Sequence, residues 1–433
     1  MTYGHSPYSP QPGRRRSPDT GPAATMSSAG WARGTGGSGL YWERKTSKWN
    51  VAARGGIVEL AFLNAVYANG GPYVCAYLDT SRDTEDPDRG IALRRRQVCE
   101  ALVEQGADAA TVAAVAGVAG RDQEIAGRHG QAIVAARGRV VLTEELPEPP
   151  VRDEAAFTAV PDLMPLVVQY APGIRYVAAT VHSLTLPHAE PADELEVACQ
   201  AGVWPSSAVA PGDCRRMRGP TVSWLNGAGQ EAADGIAGLA RSTGAEAIVL
   251  GGITWARNVL ADNLSARWRR RTVTCDGDGY PAPQGRALME EELSAAFEGQ
   301  MCGADRARVG LFRARRTSRH GAVEGLSDVV AALQRSQAGT LLLNVPLGFP
   351  AELRVGAGAT RIGGPPAADL GPYGALGFGE GPAGAAVIRA AVRTGAGLIV
   401  VPQDQLPLTD GLGALLRYAG PERTPHFHRP SHG

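Results

Sequence analysis

The sequence is poor in cysteine, in lysine and in long apolar runs, and each shortage excludes a class of protein. Six cysteines are spread over 433 residues, without a C-x-x-C pair, so neither a disulfide framework nor a zinc site is predicted and we expect reduced thiols. No apolar stretch approaches the roughly 18 residues that cross a bilayer. The N-terminus also lacks the basic start and apolar segment of a secretory signal. We therefore predict a cytoplasmic protein with no membrane partner.

The sequence also lacks the common motifs for cofactor binding, metal binding and nucleophilic catalysis. The sequence contains no P-loop and no nucleophile elbow. The acidic stretch DTSRDTEDPD, at residues 79–88, lacks the regular oxygen-ligand spacing and the terminal Glu of a calcium loop. Acidic side chains before a helix instead favour its positive end. We predict no cofactor and no metal site.

Arginine, by contrast, is clustered. The formal net charge is +0, which argues against a protein that coats nucleic acid nonspecifically. Lys45 and Lys48 are the only lysines, and arginines cluster at 94–96, 215–218, 267–271 and 306–319. Planar guanidinium groups suit phosphate contacts better than ammonium groups do. A GC-rich genome would also favour arginine over lysine, but it explains the clustering less well. Seven arginines are predicted to face RNA or to be merely solvated: Arg267, Arg269, Arg270, Arg271, Arg313, Arg315 and Arg316.

Apolar periodicity and Pro/Gly-rich breaks predict an α/β protein of three domains. Strands that alternate with helices indicate layered sheets with helices packed on them. The predicted segments are a disordered tail (1–50), an N-terminal α/β domain (51–148), a middle α/β domain (157–303), a C-terminal α/β domain (320–420) and a second tail (421–433). PEPPVRDE, at 147–154, is predicted to be a linker, and 303–320 an arginine-rich connector. In the N-terminal domain we predict a helix at 109–118 and two paired strands, GQAIVAA and RVVLTEEL, around a short turn at Arg137 and Gly138.

The stretch CQAGVWPSSAVAPGDCRRMRG, at 199–219, is predicted to be a long loop of the middle domain. It follows a predicted strand and precedes an amphipathic segment, and loops of this length inside a domain are commonly functional. Arginines next to the free N–H groups of a helix start can bind phosphate. The predicted RNA-binding loop residues are Gly202, Trp204, Gly212, Arg215, Arg216 and Arg218; solvated arginines are the alternative.

Four stretches carry a family resemblance. GPYVCAYLDTSRDTEDPDR and GRHGQAIVAA near the start, and VEGLSDVVAALQRSQAGTLLL and LTDGLGALLRYA near the end, occur in that order. They resemble bacterial homologues of the archaeo-eukaryotic peptide release factor, and most closely the actinobacterial branch that includes relatives of the ribosome hibernation factor Balon. The resemblance covers about residues 56 to 420 and is weaker in the middle.

The resemblance implies a three-domain, release-factor-like architecture that enters the ribosomal A site. Its middle domain would reach the peptidyl transferase centre through a loop between a strand and a helix. Its C-terminal domain, similar to a ribosomal protein, would contact a translational GTPase such as elongation factor Tu. In release factors the middle loop ends in Gly-Gly-Gln, which positions water on the peptidyl-tRNA ester. This sequence has no Gly-Gly-Gln.

Two glutamines could replace that signature. Gln200 lies at the end of a predicted strand. Gln230 lies in NGAGQE, where the spacing of the apolar residues predicts a helix with Gln230 on its exposed side. The alternative is that Gly227 and Gly229 break this helix and form a functional tip. Bulky Trp204 at the loop tip disfavours close approach to an ester, which glycine allows. We predict a noncatalytic hibernation or protection factor that binds ribosomal RNA in the A site. The alternatives are a peptidyl-tRNA hydrolase that acts in ribosome rescue through Gln200 or Gln230, and a degenerate relative with only a protein-binding role.

Overall fold

A computed structural model of the protein shows strands alternating with helices, which confirms the predicted α/β class. All six cysteines are free thiols. Among the helices that the structure describes, none has the length and apolar character needed to cross a membrane. The described residues are 41–44, 60–68, 70–184, 194–276, 282–345, 352–356, 362–363 and 378–418.

The first described element lies inside the segment predicted to be a tail. Strand β1 (Tyr41–Arg44) pairs antiparallel with residues 215–218, so that Trp42 lies opposite Met217. Through this pairing, residues 41–44 of the predicted tail lie at the edge of the central sheet. The rest of the predicted tail at 1–50, and the second tail at 421–433, lie outside the described residues.

The first module is an antiparallel sheet with helices packed on it. Asp86 and Asp108 cap two of its helices by accepting hydrogen bonds from Arg89 N and Thr111 N. The predicted hairpin turn at Arg137 and Gly138 is confirmed, since both residues have positive φ angles. Its elements are α1 (Asn64–Ala68), β2 (Tyr73–Asp79), α2 (Pro87–Glu104), α3 (Ala109–Val118), β3 (Gly130–Ala136), β4 (Arg139–Leu146), β5 (Glu154–Thr158) and α4 (Met164–Tyr170).

The strand order in this sheet is β4-β3-β2-β5. Strand β5 begins within the stretch that was predicted to be a linker. Its pairing with β2, in which Ala156 lies opposite Cys75, makes it the edge strand of the first sheet. Residues 147–153 of the predicted linker form no helix or strand, and only its last residue, Glu154, belongs to β5.

The central module is built on a six-stranded sheet of order β1-β8-β7-β6-β9-β10. Its elements are β6 (Ile174–Leu184), β7 (Glu194–Trp204), β8 (Cys214–Pro220), α5 (Thr221–Ser223), α6 (Gly229–Thr243), β9 (Ala247–Gly252), α7 (Thr254–Asn263), α8 (Ala266–Arg269), β10 (Thr272–Thr274) and α9 (Glu290–Phe297). β9 runs parallel to β6 and to β10, and the other neighbours are antiparallel. Helices α6 and α7 bury one face of this sheet, and residues 287–302 bury part of the other.

The third module has a four-stranded sheet of order β11-β17-β12-β16 and a separate three-stranded sheet. Its elements are α10 (Gly303–Thr317), β11 (Ala322–Glu324), α11 (Leu326–Gln334), β12 (Ala338–Val345), β13 (Glu352–Gly356), β14 (Ile362–Gly363), β15 (Phe378–Pro382), α12 (Ala383–Thr394), β16 (Gly397–Pro402) and β17 (Leu412–Leu416). Helix α10, predicted to be an arginine-rich connector, packs Val309 and Phe312 into the core of this module.

One apolar core joins the first and third modules. It contains Leu163, Met164 and Val167 of the first module together with Val387 and Leu398 of the third. At Gly384 of α12 an added Cβ would lie 3.4 Å from the Met164 methyl carbon, so the two helices are in close contact. The modules at the two ends of the chain are therefore not independent folding units, because each completes the burial of the other.

Candidate nucleic-acid interface

The stretch 199–219, predicted to be a long loop, is a β-hairpin. β7 and β8 pair over seven positions, from Glu194 opposite Pro220 to Gln200 opposite Cys214. Only residues 205–213 connect the two strands. The loop prediction is wrong at both ends of the stretch, because residues 199–204 belong to β7 and residues 214–219 to β8, where pairing with β6 and with each other satisfies their backbone groups.

The connection between these strands packs against its own module. The Trp204 ring lies 6.0 Å from the Phe297 ring of α9, and the Ser207 hydroxyl accepts a hydrogen bond from Val203 N at 2.6 Å. Gly202 is required for packing, since a Cβ there would lie 2.5 Å from Ser207 Oγ. Gly212 is equally confined, because its Cβ would lie 2.6 Å from Ala201 O. These glycines therefore serve the internal packing of the hairpin.

The Gln200 side chain links two segments of the central module by hydrogen bonds. Its side-chain amide donates to Gly212 O at 2.7 Å, and its side-chain carbonyl accepts from Leu288 N at 2.8 Å. Only 4% of Gln200 is exposed. Because Gln200 is buried and both ends of its side chain are hydrogen-bonded within the module, it is poorly placed to position a water molecule on an outside substrate.

A partly exposed segment, residues 224–230, lies at the opposite end of the central sheet, and we call it the corner. Because β6 and β9 are parallel, their carboxyl ends meet there, which is the usual position of ligand sites in α/β sheets. Trp224 is buried and donates its indole N–H to Ala256 O at 3.2 Å. Leu225 is 75% exposed and Gln230, in the first turn of α6, is also exposed. The corner therefore exposes the Leu225 and Gln230 side chains, while the buried Trp224 anchors it to the module.

The helix is interrupted just before Gln230. Gly227 has φ of +129°, outside the helical region, whereas Gly229 is helical with φ of −63°. An added Cβ at Gly229 would lie 2.7 Å from the Val259 side chain. Gly229 is thus required for the packing of α6 against α7, and Gly227 alone supplies the backbone freedom of the corner.

A buried carboxylate near this end is hydrogen-bonded to two arginines and a histidine. Glu196 on β7 is 1% exposed. Its oxygens accept from Arg216 at 2.8 Å, from Arg218 at 2.6 Å and from the His182 ring nitrogen Nε2 at 3.1 Å. Burial by itself raises the pKa of Glu196, but the hydrogen bond from Arg218, the charge of Arg216 and the His182 bond outweigh it and lower the pKa below its ordinary value. We name these four residues the Glu196 cluster.

We expect Glu196→Gln to lower the free energy of unfolding by about 2 kcal/mol at neutral pH. The value lies below the range for fully buried pairs because both arginines are partly exposed. A lowered folded-state pKa means that ionised Glu196 stabilises the fold above its ordinary pKa, and that this stabilisation is lost as pH falls through the folded-state value. Urea unfolding should therefore show a difference between the variant and the parent that shrinks as the pH falls below the ordinary pKa of a Glu carboxyl, about 4.3.

Glu194→Gln is the matched control, because Glu194 lies on the same strand and forms no ion pair among the described residues. We expect it to change stability by less than about 0.5 kcal/mol. An equal loss for both substitutions, or a loss from Glu196→Gln that persists unchanged in acid, would contradict the role of the ion pairs.

The remaining predicted arginines fall into two groups. Arg315 donates to Leu416 O at 3.0 Å, Arg316 pairs with Glu324 at 3.3 Å, and Arg313 is hydrogen-bonded to Gln405 O. These three side chains are tied to the third module. In the second group, at 267–271, Arg269 donates to Asp262 O and Leu264 O, and Arg267 lies over the Trp268 ring. The side chains of Arg270 and Arg271 are exposed and form no hydrogen bond or ion pair with the described part of the chain.

The described residues contain no group of three or more His, Cys, Asp or Glu side chains that could hold a metal ion. Sequence reasoning did not identify Glu196. A signal for it exists, because Glu196 lies between the apolar residues Leu195 and Val197 of ELEVACQ, and a buried Glu needs a cationic partner. The partner could not be named, since it depends on the register between β7 and β8.

A family model supports the resemblance seen in the sequence. The model for Bacterial archaeo-eukaryotic release factor family 2 matches residues 175–318. This segment contains the central sheet from β6 to β10 and helix α10. The predicted resemblance to bacterial homologues of the archaeo-eukaryotic release factor is therefore confirmed over this segment, while the closer relationship to the Balon branch stays a prediction. No match was found among curated proteins.

Solved structures with similarity to this chain include release-factor relatives. Pelota of Archaeoglobus fulgidus is 11% identical, with 86% of this chain and 98% of that chain covered and a TM-score of 0.32. Dom34 of S. cerevisiae is 10% identical, with coverage of 68% and 81% and a TM-score of 0.30. An archaeal translation termination factor, aRF1, is 15% identical, with coverage of 81% and 93% and a TM-score of 0.19. Similarity at these TM-scores carries no argument about function.

Proposed function

We propose that this protein is a translation factor that binds the ribosomal A site without cleaving peptidyl-tRNA, and that it protects idle ribosomes. The observation that carries the proposal is the match of residues 175–318 to a release-factor family in a sequence that has no Gly-Gly-Gln. A protein with the release-factor fold but without Gly-Gly-Gln would occupy the A site without hydrolysing peptidyl-tRNA.

The geometry around Gln230 supports the absence of catalysis. Hydrolysis of an ester in a crowded ribonucleoprotein site needs the backbone on both sides of the positioning group to approach the substrate closely. Here Gly229, directly before Gln230, is buried beneath Val259 and the backbone of Trp224. The amide of Gln230 is exposed, but the chain that carries it is the first turn of a packed helix.

The second candidate function is hydrolysis of the peptidyl-tRNA ester. The observation that favours it is the break at Gly227, which makes an exposed corner next to Gln230. In such a reaction water would add to the ester carbonyl, and the peptide acid and the tRNA hydroxyl would be released. Gln230 is the glutamine to test, since Gln200 is already bonded at both ends.

The proposal is tested by cosedimentation with ribosomes and by release of labelled peptide from stalled peptidyl-tRNA complexes. We expect the parent protein to cosediment, with and without elongation factor Tu, and to release no peptide. Peptide release that is lost in Gln230→Ala would establish the hydrolase instead. Failure to cosediment under both conditions would overturn both ribosomal functions and leave the protein-binding role.

We further propose that the third module contacts a translational GTPase such as elongation factor Tu, as the resemblance implies. Increased cosedimentation in the presence of the GTP-bound factor would support this partner. An unchanged bound fraction at limiting ribosome concentration would contradict it.

A further inference from the structure

The topology of the central module brings six arginines to the amino end of its sheet. Parallel β6, β9 and β10 all begin at this end, and α6, which precedes β9, finishes there. Backbone hydrogen bonds from Glu246 N to Arg175 O at 2.8 Å and from Ile248 N to Arg271 O at 3.0 Å join these segments. We name the set the amino-end arginine face: Arg175, Arg241, Arg267, Arg269, Arg270 and Arg271.

No carboxylate neutralises this face within the described residues. Glu246 and Asp262 lie on the same segments, but neither forms an ion pair with any of the six guanidinium groups. Glu246 instead accepts a hydrogen bond from Gly303 N. Uncompensated like charges on one face raise the local potential and attract a polyanion.

The other predicted arginine sites differ in this respect. Arg216 and Arg218 share the buried carboxylate of Glu196, and Arg316 is paired with Glu324. Their charges are partly cancelled before any ligand arrives. The amino-end arginine face therefore offers more unpaired charge than the clusters at 215–218 and 313–316.

Two of its arginines are held in place by the protein. The Arg267 guanidinium lies 5.3 Å from the ring of buried Trp268. Arg269 donates to Asp262 O at 2.8 Å and to Leu264 O at 3.2 Å, both at the end of α7. The side chains of Arg241, Arg270 and Arg271 are exposed and have no described partner. Guanidinium groups held in place beside fully exposed ones suit the repeating charge of a phosphodiester backbone.

We infer that the amino-end arginine face binds the phosphodiester backbone of RNA, independently of sequence. This inference rests on the proposed function, for which it names the docking surface of the central module. Trp204 at the hairpin end, which was predicted to contact RNA, is half-buried and packs against Phe297 of its own module. The face lies at the end of the sheet opposite the exposed corner at Leu225 and Gln230.

The test is a triple substitution of exposed residues, Arg241→Gln, Arg270→Gln and Arg271→Gln, measured by salt titration of binding to a short RNA duplex and to ribosomes. Each lost phosphate contact lowers the log–log salt slope by about 0.9. We expect the slope to fall by about 2 to 3, and affinity for the duplex to fall at least about tenfold at about 0.1 M salt. The corresponding triple Lys variant keeps the charge and should keep most of the slope.

A second triple variant, Arg96→Gln, Arg139→Gln and Arg152→Gln, removes the same charge from exposed positions of the first module. It should retain binding to the duplex. Circular dichroism and thermal unfolding of each variant exclude a folding defect as the cause of any loss.

The outcomes separate the inference from the proposed function. The inference about the arginine face is overturned if the parent does not bind the RNA duplex. It is also overturned if the parent and the first triple variant bind the duplex equally well. A loss of elongation-factor binding with RNA binding intact also overturns it, in favour of an acidic protein partner. Duplex binding that depends on the face, without binding to ribosomes, keeps the inference and overturns the ribosomal function.

Discussion

Trp224→Ala is expected to lower the free energy of unfolding by about 3–5 kcal/mol, the usual cost of emptying a large aromatic site. Trp224 is 1% exposed and belongs to the core between the central sheet, α6 and α7. Its indole N–H also donates to Ala256 O at 3.2 Å. Alanine would leave both a cavity and a carbonyl without its side-chain donor. Chemical denaturation measured by circular dichroism gives the value.

Trp255→Ala is the matched control, because Trp255 is the same residue type in the adjoining helix and is 43% exposed. We expect a loss of less than about 1 kcal/mol from it. Because Trp224 supports the corner that holds Gln230, Trp224→Ala should also expose that corner to proteolysis. Equal losses for both tryptophans would contradict the assignment of Trp224 as the base of the corner.

The two glutamines are expected to respond in opposite ways. Gln200→Ala should lower the free energy of unfolding by about 2–4 kcal/mol, since it leaves Gly212 O and Leu288 N without their partners in a buried site. Gln230→Ala should change stability by less than about 0.5 kcal/mol, since Gln230 is exposed on α6. Urea unfolding of the two variants beside the parent measures both values.

The same pair separates a structural defect from a catalytic one. If the protein releases peptide, a loss in Gln230→Ala at unchanged stability marks a chemical role for Gln230. A loss in Gln200→Ala that follows the unfolded fraction marks a structural role for Gln200. A Gln200→Ala variant as stable as the parent would show that the hydrogen bonds of Gln200 to Gly212 and Leu288 contribute little to the free energy of unfolding.

Local signals predicted much of the secondary structure. The predicted helix at 109–118 has the bounds of α3, and the predicted strands GQAIVAA and RVVLTEEL are β3 and β4. Each depends on neighbours in the sequence: an Asp at the helix start, a turn of Arg137 and Gly138, and a short apolar run. The amphipathic segment predicted after the loop is helical from Thr221, but its helix is interrupted at Asn226 and Gly227 before α6 begins, which the apolar spacing does not show.

The candidate site was predicted less well, for a physical reason that Gln200 and Arg216 illustrate. Residue type and position suggested a free loop with exposed cations. The register between β7 and β8 instead places Arg216 next to Glu196 and Gln200 next to Gly212. A hydrogen-bond partner many positions away in the sequence cannot be inferred from spacing within one segment.

The amino-acid sequence alone determined the α/β class, the family resemblance, the absence of Gly-Gly-Gln and the positions of the arginine clusters, because composition and short-range periodicity carry that information. Tertiary structure decided which arginines keep an unpaired charge, which glutamine is buried, and that the first and third modules share one core. Those properties depend on contacts between strands and helices that are distant in the chain, and burial and ion pairing exist only once these contacts form.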